Sequence, residues 1–286
     1  MKKHAYLIMA HTNFNQLQTL ISILDDPRND IYVHVDKRAT KFNERYYVTK
    51  FSKLIFINRK AVNWGAYSQI DCEIRLLKAA KDSGITYSYY HLLSGLDFPI
   101  KDQNYIHSFF EKNEGKEFLD FDPKSDNNTF DRVKYYYFFQ DFIGRNKGKI
   151  PGILYYLQER SITIQRKIGT KRKFTFPMYK GANWFSITND LVTFVLQQKS
   201  NIRKRFRYTL CADEIVLQSI AMNSPYRQNI VNCSLREIDW TRGEPYTYRT
   251  GDLSILKAST ALFARKFDES VDNNIISLLF KEISLS

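Results

Sequence analysis

Four apolar runs in the first hundred residues, and the segments between them, do most to limit how this chain folds. The runs are AYLIMA (5–10), IYVHV (31–35), LIFI (54–57) and YSYYHLLSG (87–95). They are short, continuous and rich in β-branched and aromatic residues, as buried strands are. Between the first two, Leu17, Leu20, Ile21 and Leu24 recur at helical intervals. Between the last two, SQIDCEIRLLKAAKDSG does the same, with Ser68 as the expected N-cap and a stop near Gly84. Strands separated by helices imply an α/β fold with a mostly parallel sheet flanked by helices.

The second half is less uniform. Residues 123–180 hold the loop-like stretches KSDNN, GRNKGKIPG and GTKRK, and an apolar, basic stretch, ILYYLQERSITIQRKI, compatible with either state. Order returns with NWFSI as a strand, NDLVTFVLQQ as a helix, and ADEIVLQSIAM as a helix opening with two acids. No internal repeat and no clean linker interrupts the chain. The expectation is one domain over residues 1–286, with about 123–180 a variable basic insertion.

Several function classes drop out. There is no Walker-type phosphate loop, no GxGxxG and no GxSxG elbow. The apolar stretch from Ala5 to Ala10 is shorter than the ~7–15 residues of a signal-peptide core, and no run approaches the ~20 that span a bilayer. Cys72, Cys211 and Cys233 are few, odd in number and widely spaced, so neither a disulfide framework nor a zinc site is expected. A cytoplasmic location is the reading. The five histidines, His4, His11, His34, His91 and His107, include no two at ligand spacing on one helix.

Charge is uneven. The chain has 43 Lys+Arg and 30 Asp+Glu, a net of +13; residues 132–207 hold 17 basic and 3 acidic residues, or +14, which leaves the rest at −1. Such clustering predicts a local basic face suited to an anionic partner. With its interleaved aromatics (YYYFFQDF, YYLQER), that stretch also keeps open a non-enzymatic alternative, a basic nucleic-acid- or polyanion-binding protein. The stretch matches no nucleic-acid recognition module, so no nucleic-acid partner is expected.

Three constellations could carry chemistry. Asp213-Glu214 opens a helix, where an acid favours the positive end of the dipole; it could equally supply the one carboxylate base that inverting glycosyl transfer requires. Arg265 and Lys266, in FARKFD, could clamp a diphosphate leaving group as its charge develops, or form an ordinary solvated pair. Asp120-Phe121-Asp122 has the Asp-X-Asp pattern through which many sugar-nucleotide transferases hold Mg²⁺ or Mn²⁺. His34 and Asp36 end a strand, where α/β active-site residues gather.

Taken together and in order, several segments resemble the core-2/I-branching β-1,6-N-acetylglucosaminyltransferase family, which includes the peptide O-xylosyltransferases. They are AYLIMAH (5–11), IYVHVDKR (31–38), VNWGAYSQIDCEIRLLKAA (62–80), YHLLSGLDFPIK (90–101), KGANWFSIT (180–188), CADEIVLQSI (211–220), LREIDW (235–240) and ALFARKFD (261–268). The resemblance covers most of the chain except roughly 123–175. It implies a GT-A-like fold and an inverting transfer from a UDP-sugar, with N-acetylglucosamine or xylose expected as the sugar. It also implies no cofactor and no metal, which makes Asp120 and Asp122 a coincidental match.

By resemblance Glu214 is the base. Lys266 is the main cation at the diphosphate, with Arg242, Arg249 or Arg265 as its partner. Asp36, Trp64 and His11 line the donor pocket; Asp213, Trp184 and Trp240 are expected on the acceptor side. The chain departs from the eukaryotic pattern in having no membrane anchor and no disulfide-forming cysteine set. It therefore looks like a compact bacterial member serving surface-polysaccharide synthesis. Its expected partners are a nucleotide sugar, a glycan or lipid-linked glycan acceptor, and an anionic membrane met peripherally at its inner face.

Overall fold

A computed structural model of the chain describes residues 2–123, 127–144 and 149–285. In chain order the elements are β1 (Lys3–Ala10), α1 (Phe14–Leu24), β2 (Asn29–Val35), β3 (Lys53–Phe56), α2 (Tyr67–Lys81), β4 (Tyr87–Ser94), β5 (Asp97–Pro99) and α3 (Gln103–Lys112). There follow β6 (Glu117–Leu119), α4 (Asn127–Lys134), α5 (Gln140–Ile143), α6 (Lys149–Lys167), β7 (Phe185–Thr188), α7 (Asn189–Gln197) and α8 (Lys199–Phe206). The chain ends with α9 (Asp213–Met222), β8 (Ile230–Asn232), β9 (Arg236–Ile238), α10 (Leu253–Ala258), β10 (Phe263–Arg265) and α11 (Asn273–Leu285).

The main sheet has seven strands in the order β3-β2-β1-β4-β7-β6-β8. All its pairings are parallel except the two that β7 makes with β4 and β6. The α/β class with a mostly parallel sheet is therefore as the sequence indicates. The continuous apolar runs follow from burial on both faces. In β1, Tyr6, Ile8 and Ala10 enter one core with α1 and α11, while Ala5 and Leu7 enter the other with α2, α7 and α9. Successive side chains of a strand point to opposite faces, so a strand covered on both sides must be apolar throughout.

A smaller sheet, β5-β10-β9, carries the C-terminal segments to the edge where β4 ends. Because β7 runs against its neighbours, its first residue also lies at that edge. Both arrangements bring residues distant in sequence to the C-terminal ends of β1, β2 and β4, where open α/β sheets place their sites.

Several local expectations change. Ala66, not Ser68, stands at the N-cap of α2. Ser68 lies inside the first turn, where its hydroxyl accepts from the Asn63 N–H at 2.9 Å and closes the preceding loop. ILYYLQERSITIQRKI is helical, within α6. Of GRNKGKIPG, residues 145–148 lie outside the described residues; Lys149–Gly152 form the start of α6, where Pro151 is tolerated because first-turn N–H groups have no partner within the helix. Of KSDNN, residues 124–126 lie outside the described residues, and Asn127 and Asn128 open α4. All three cysteines are free.

The histidines are less scattered than their spacing suggests. His91 bonds His4 at 3.1 Å and Ser186 at 2.8 Å, and His107 stacks on His4 with centroids 4.0 Å apart. Burial lowers the pKa of all three, so the cluster is a neutral part of the core.

Candidate active site

The acidic pair opens α9, and the fold treats its two members differently. Asp213 is buried. Its Oδ2 accepts from Gln69 Nε2 at 3.1 Å, and Oδ1 is buried with no partner among the described residues. Burial first, then the neighbouring Glu214 charge, raises its pKa from 3.8 to about 6. Glu73 of α2 faces it and accepts from Asn183 Nδ2 at 2.9 Å; burial and the Asp213 charge push Glu73 well above the usual carboxylate range. Asp213 thus lies largely beneath the surface.

Glu214 is half-exposed. Its Oε2 receives Arg132 Nη1 at 2.8 Å, with Lys180 Nζ at 3.9 Å. Arg132 comes from the stretch that the family resemblance left uncovered, whereas Lys180 opens the KGANWFSIT segment. Among the described residues, Oε1 accepts no hydrogen bond. The backbone beneath is tight: Gly181 N–H donates to the Glu214 carbonyl at 2.9 Å, and a Cβ on Gly181 would lie 1.8 Å from the Asp120 carbonyl oxygen. Only glycine fits there.

Asp120 and Asp122 have architectural partners. Asp120 Oδ1 accepts from Ser234 N at 2.8 Å, and Asp122 N donates to the Lys180 carbonyl at 2.6 Å. Among the described residues no group of three His, Cys, Asp or Glu side chains could hold a metal ion.

A second part of the site centres on β10. Arg265 Nη1 reaches Asp97 Oδ1 at 2.6 Å and Ser94 Oγ at 2.5 Å, and its guanidinium lies 4.6 Å from the centre of the Trp184 ring. Arg265 therefore joins the Ser-Gly-Leu-Asp turn to Trp184. The next residue, Lys266, is half-buried; among the described residues its ammonium makes no hydrogen bond or ion pair, and its charge helps to lower the pKa of Asp268. The loop after β9 is pinned here, since Tyr246 N donates to Asp239 O at 2.9 Å and Tyr248 N to Lys266 O at 3.0 Å.

The candidate partners of Lys266 differ. Arg242 is held by Asp239 at 2.5 Å and Asp252 at 2.7 Å, over the ring of Tyr246. Arg249 follows Tyr248 and is exposed; among the described residues its guanidinium meets no carboxylate. Trp240, on the same loop, is also exposed. Gln16 ties α1 into this region, donating to the carbonyls of Gly95 (3.0 Å) and Phe267 (3.1 Å) and accepting from Glu269 N (2.9 Å).

On the β1–β2 side, Asp36 accepts from Arg38 through both oxygens and from Val62 N at 3.0 Å, which holds its pKa down at about 2 despite burial. His34 Nε2 accepts from Lys60 N at 3.0 Å, and burial lowers its pKa to about 4. Both order the 59–63 loop that leads to Trp64, which is exposed at its ring and accepts at its carbonyl from Gln140 Nε2 at 3.0 Å. His11 is exposed just after β1. A separate open cleft lies between α2 and α8, lined by Lys60, Tyr67, Asp71, Arg75, Lys199 and Arg203. Tyr67, Asp71 and Arg75 are on the side of α2 away from Gln69 and Glu73, by helical periodicity.

Sequence reasoning missed Glu73, Gln69, Arg132, Lys180 and Asp97 as parts of this arrangement. Glu73 had a signal: it falls in the buried register of α2 with Ile70, Ile74 and Leu77. Arg132 and Lys180 had none, because only tertiary folding brings them to Glu214.

The Core-2/I-Branching enzyme family profile matches residues 4–261. Xylosyltransferase 2 of Rattus norvegicus is 23% identical over 302 residues, which cover 96% of this chain and 33% of the relative. The β-1,3-galactosyl-O-glycosyl-glycoprotein β-1,6-N-acetylglucosaminyltransferase 3 of Rattus norvegicus is 23% identical over 312 residues, covering 96% of this chain and 66% of the relative. The chain thus spans about a third of the length of the xylosyltransferases it matches. Among solved structures, apo mouse xyloside xylosyltransferase 1 aligns over 92% of this chain and 97% of its own, at 10% identity and a TM-score of 0.39, a likeness too low to carry weight. With nine-tenths of its length inside the family profile, the chain belongs to the Core-2/I-branching enzyme family.

Proposed function

We propose that the protein is an inverting, metal-independent glycosyltransferase. It moves a sugar, N-acetylglucosamine or xylose, from a UDP-sugar to a glycan hydroxyl in bacterial surface-polysaccharide synthesis, and it does so in the cytoplasm. The observation that carries the reading is the geometry of Glu214, a half-exposed carboxylate with one oxygen engaged by cations and the other accepting no hydrogen bond among the described residues. In this reading the acceptor hydroxyl attacks the anomeric carbon from the face opposite UDP. The glycosidic bond to the diphosphate breaks as the new one forms, and the hydroxyl proton passes to Glu214 Oε1. No second acid is needed, because the diphosphate leaves unprotonated.

Lys266 and Arg249 meet the charge that grows on the departing diphosphate. Arg242, already held by two carboxylates, positions the loop instead. Arg265 fixes Trp184, which with Trp240 offers apolar faces to the acceptor sugar. Asp36, Trp64 and His11 flank the nucleotide. Asp213, buried against Glu73, positions Glu214.

The test is Glu214→Gln, assayed with UDP-sugar donors in the presence of EDTA. Transfer should fall about 10²–10⁴-fold while donor affinity holds. Full activity in the variant refutes the base, and loss of wild-type activity in EDTA refutes the metal-free clamp.

A further inference from the structure

The α6 helix has its polarity inverted. Its buried residues are Gln158, Ile162 and Gln165. Gln158 accepts from Phe139 N at 3.1 Å and donates to Gln140 Oε1 at 3.1 Å. Gln165 accepts from Tyr136 N at 2.8 Å and donates to Tyr136 O at 3.0 Å. Polar side chains thus fasten the helix to the 136–140 segment. The opposite arrangement, apolar in and polar out, is what a helix on a water-facing surface adopts.

Ile162 apart, the aliphatic residues largely face outward. Ile150, Ile153, Leu157, Ile164 and Ile168 are 46% to 73% exposed. Their intervals of three, four, seven and four place them along one side of the helix. Tyr155 and Tyr156 are exposed as well. Cations accompany the stripe: Lys149, Arg160 and Lys167 on the helix are exposed, as are Lys171 and Lys173 just after it, and Glu159 is the one acid between residues 149 and 173. Arg172 is not among the free charges, since it donates to the carbonyls of Tyr208 (3.2 Å) and Arg205. Among the described residues no helix is long and apolar enough to cross a membrane.

We infer that α6 is a docking helix for an anionic lipid surface, lying in the bilayer interface with its aliphatic stripe inward and its cations among the headgroups. An apolar stripe flanked by Lys and Arg is the pattern of interfacial helices. Charge selects this occupant over a second copy of the chain, because two such faces would bring like charges together. The docking stands on the helix alone. Its consequence rests on the proposed function: the 136–140 segment beneath α6 links Arg132, which holds Glu214, to the Trp64 carbonyl, so docking sets the transfer site beside a lipid-linked acceptor.

The test uses the full chain with vesicles of phosphatidylcholine alone or mixed with phosphatidylglycerol. Co-sedimentation should require the anionic lipid and fall as salt rises. The charge-neutral triple variant Ile153→Asn, Leu157→Asn, Ile164→Asn should partition roughly a hundredfold more weakly. Lys171→Glu with Lys173→Glu should weaken binding and flatten its salt dependence. Unchanged UDP affinity in each variant shows that the fold is kept and separates this result from failure of the transferase reading. Indifference of the wild type to anionic lipid overturns the proposal, as does equal binding by the triple variant. So does α6-dependent dimerisation without vesicles, which would assign the stripe to a second copy.

Discussion

The unequal burial of Asp213 and Glu214 makes Asp213→Asn an informative substitution. Asparagine keeps the shape and can still accept from Gln69, but it cannot carry charge. In the folded chain the Asp213 pKa is raised from 3.8 to about 6, first by burial and then by the Glu214 charge. An acid with a raised folded-state pKa contributes stability that is fully present below its unfolded pKa and is lost as pH rises through the folded one. The window here runs from pH 3.8 to about 6. At 1.36 kcal/mol per tenfold change in proton affinity, the raised pKa costs about 3 kcal/mol at pH 8, where Asp213 is ionised, and about half that at pH 5, where it stays mostly protonated in the folded chain.

Asp213→Asn removes this dependence. Whatever fixed effect the new amide has, the variant should gain on wild type by about 1–1.5 kcal/mol between pH 5 and pH 8. Urea unfolding at the two pH values, with the slope checked for constancy, measures the difference. A stability difference that is the same at both values would mean that Asp213 is ordinary in the folded state, and the division of labour within the pair would fail.

Other outcomes follow from single contacts. Lys266→Ala and Arg249→Ala should each weaken UDP affinity about tenfold in calorimetric titration, while Arg242→Ala should act mainly through stability. Gly181→Ala must displace the Asp120 backbone, so it should cost about 2–3 kcal/mol in chemical denaturation and slow transfer as Glu214 and Lys180 shift with it. For His107, whose pKa burial lowers to about 4, stability is present above the unfolded value of 6.5 and is lost as pH falls toward 4. His107→Gln should therefore flatten acid sensitivity in that window; an unchanged pH profile in unfolding would count against its neutral, buried state.

The amino-acid order by itself determined the first four strands and the two helices between them, the α/β class and the family. The reason is local: a strand buried on both faces must be apolar at every position, and a helix covering it must repeat near 3.6, so both leave their period in the sequence. The short motifs that carry the family resemblance are likewise contiguous, which is why the family is legible without the fold. Tertiary structure alone decided what surrounds them. It turned β7 against its neighbours and so set Trp184 beside Arg265. It buried Asp213 against Glu73 while leaving Glu214 open, brought Arg132 and Lys180 to that carboxylate, and gathered His4, His91 and His107 in one core. It also turned α6 inside out, through hydrogen bonds from two glutamines that no hydrophobic pattern announces. Ion pairs, burial and hydrogen bonds form between residues tens to hundreds of positions apart, and such partners are set by packing rather than by period.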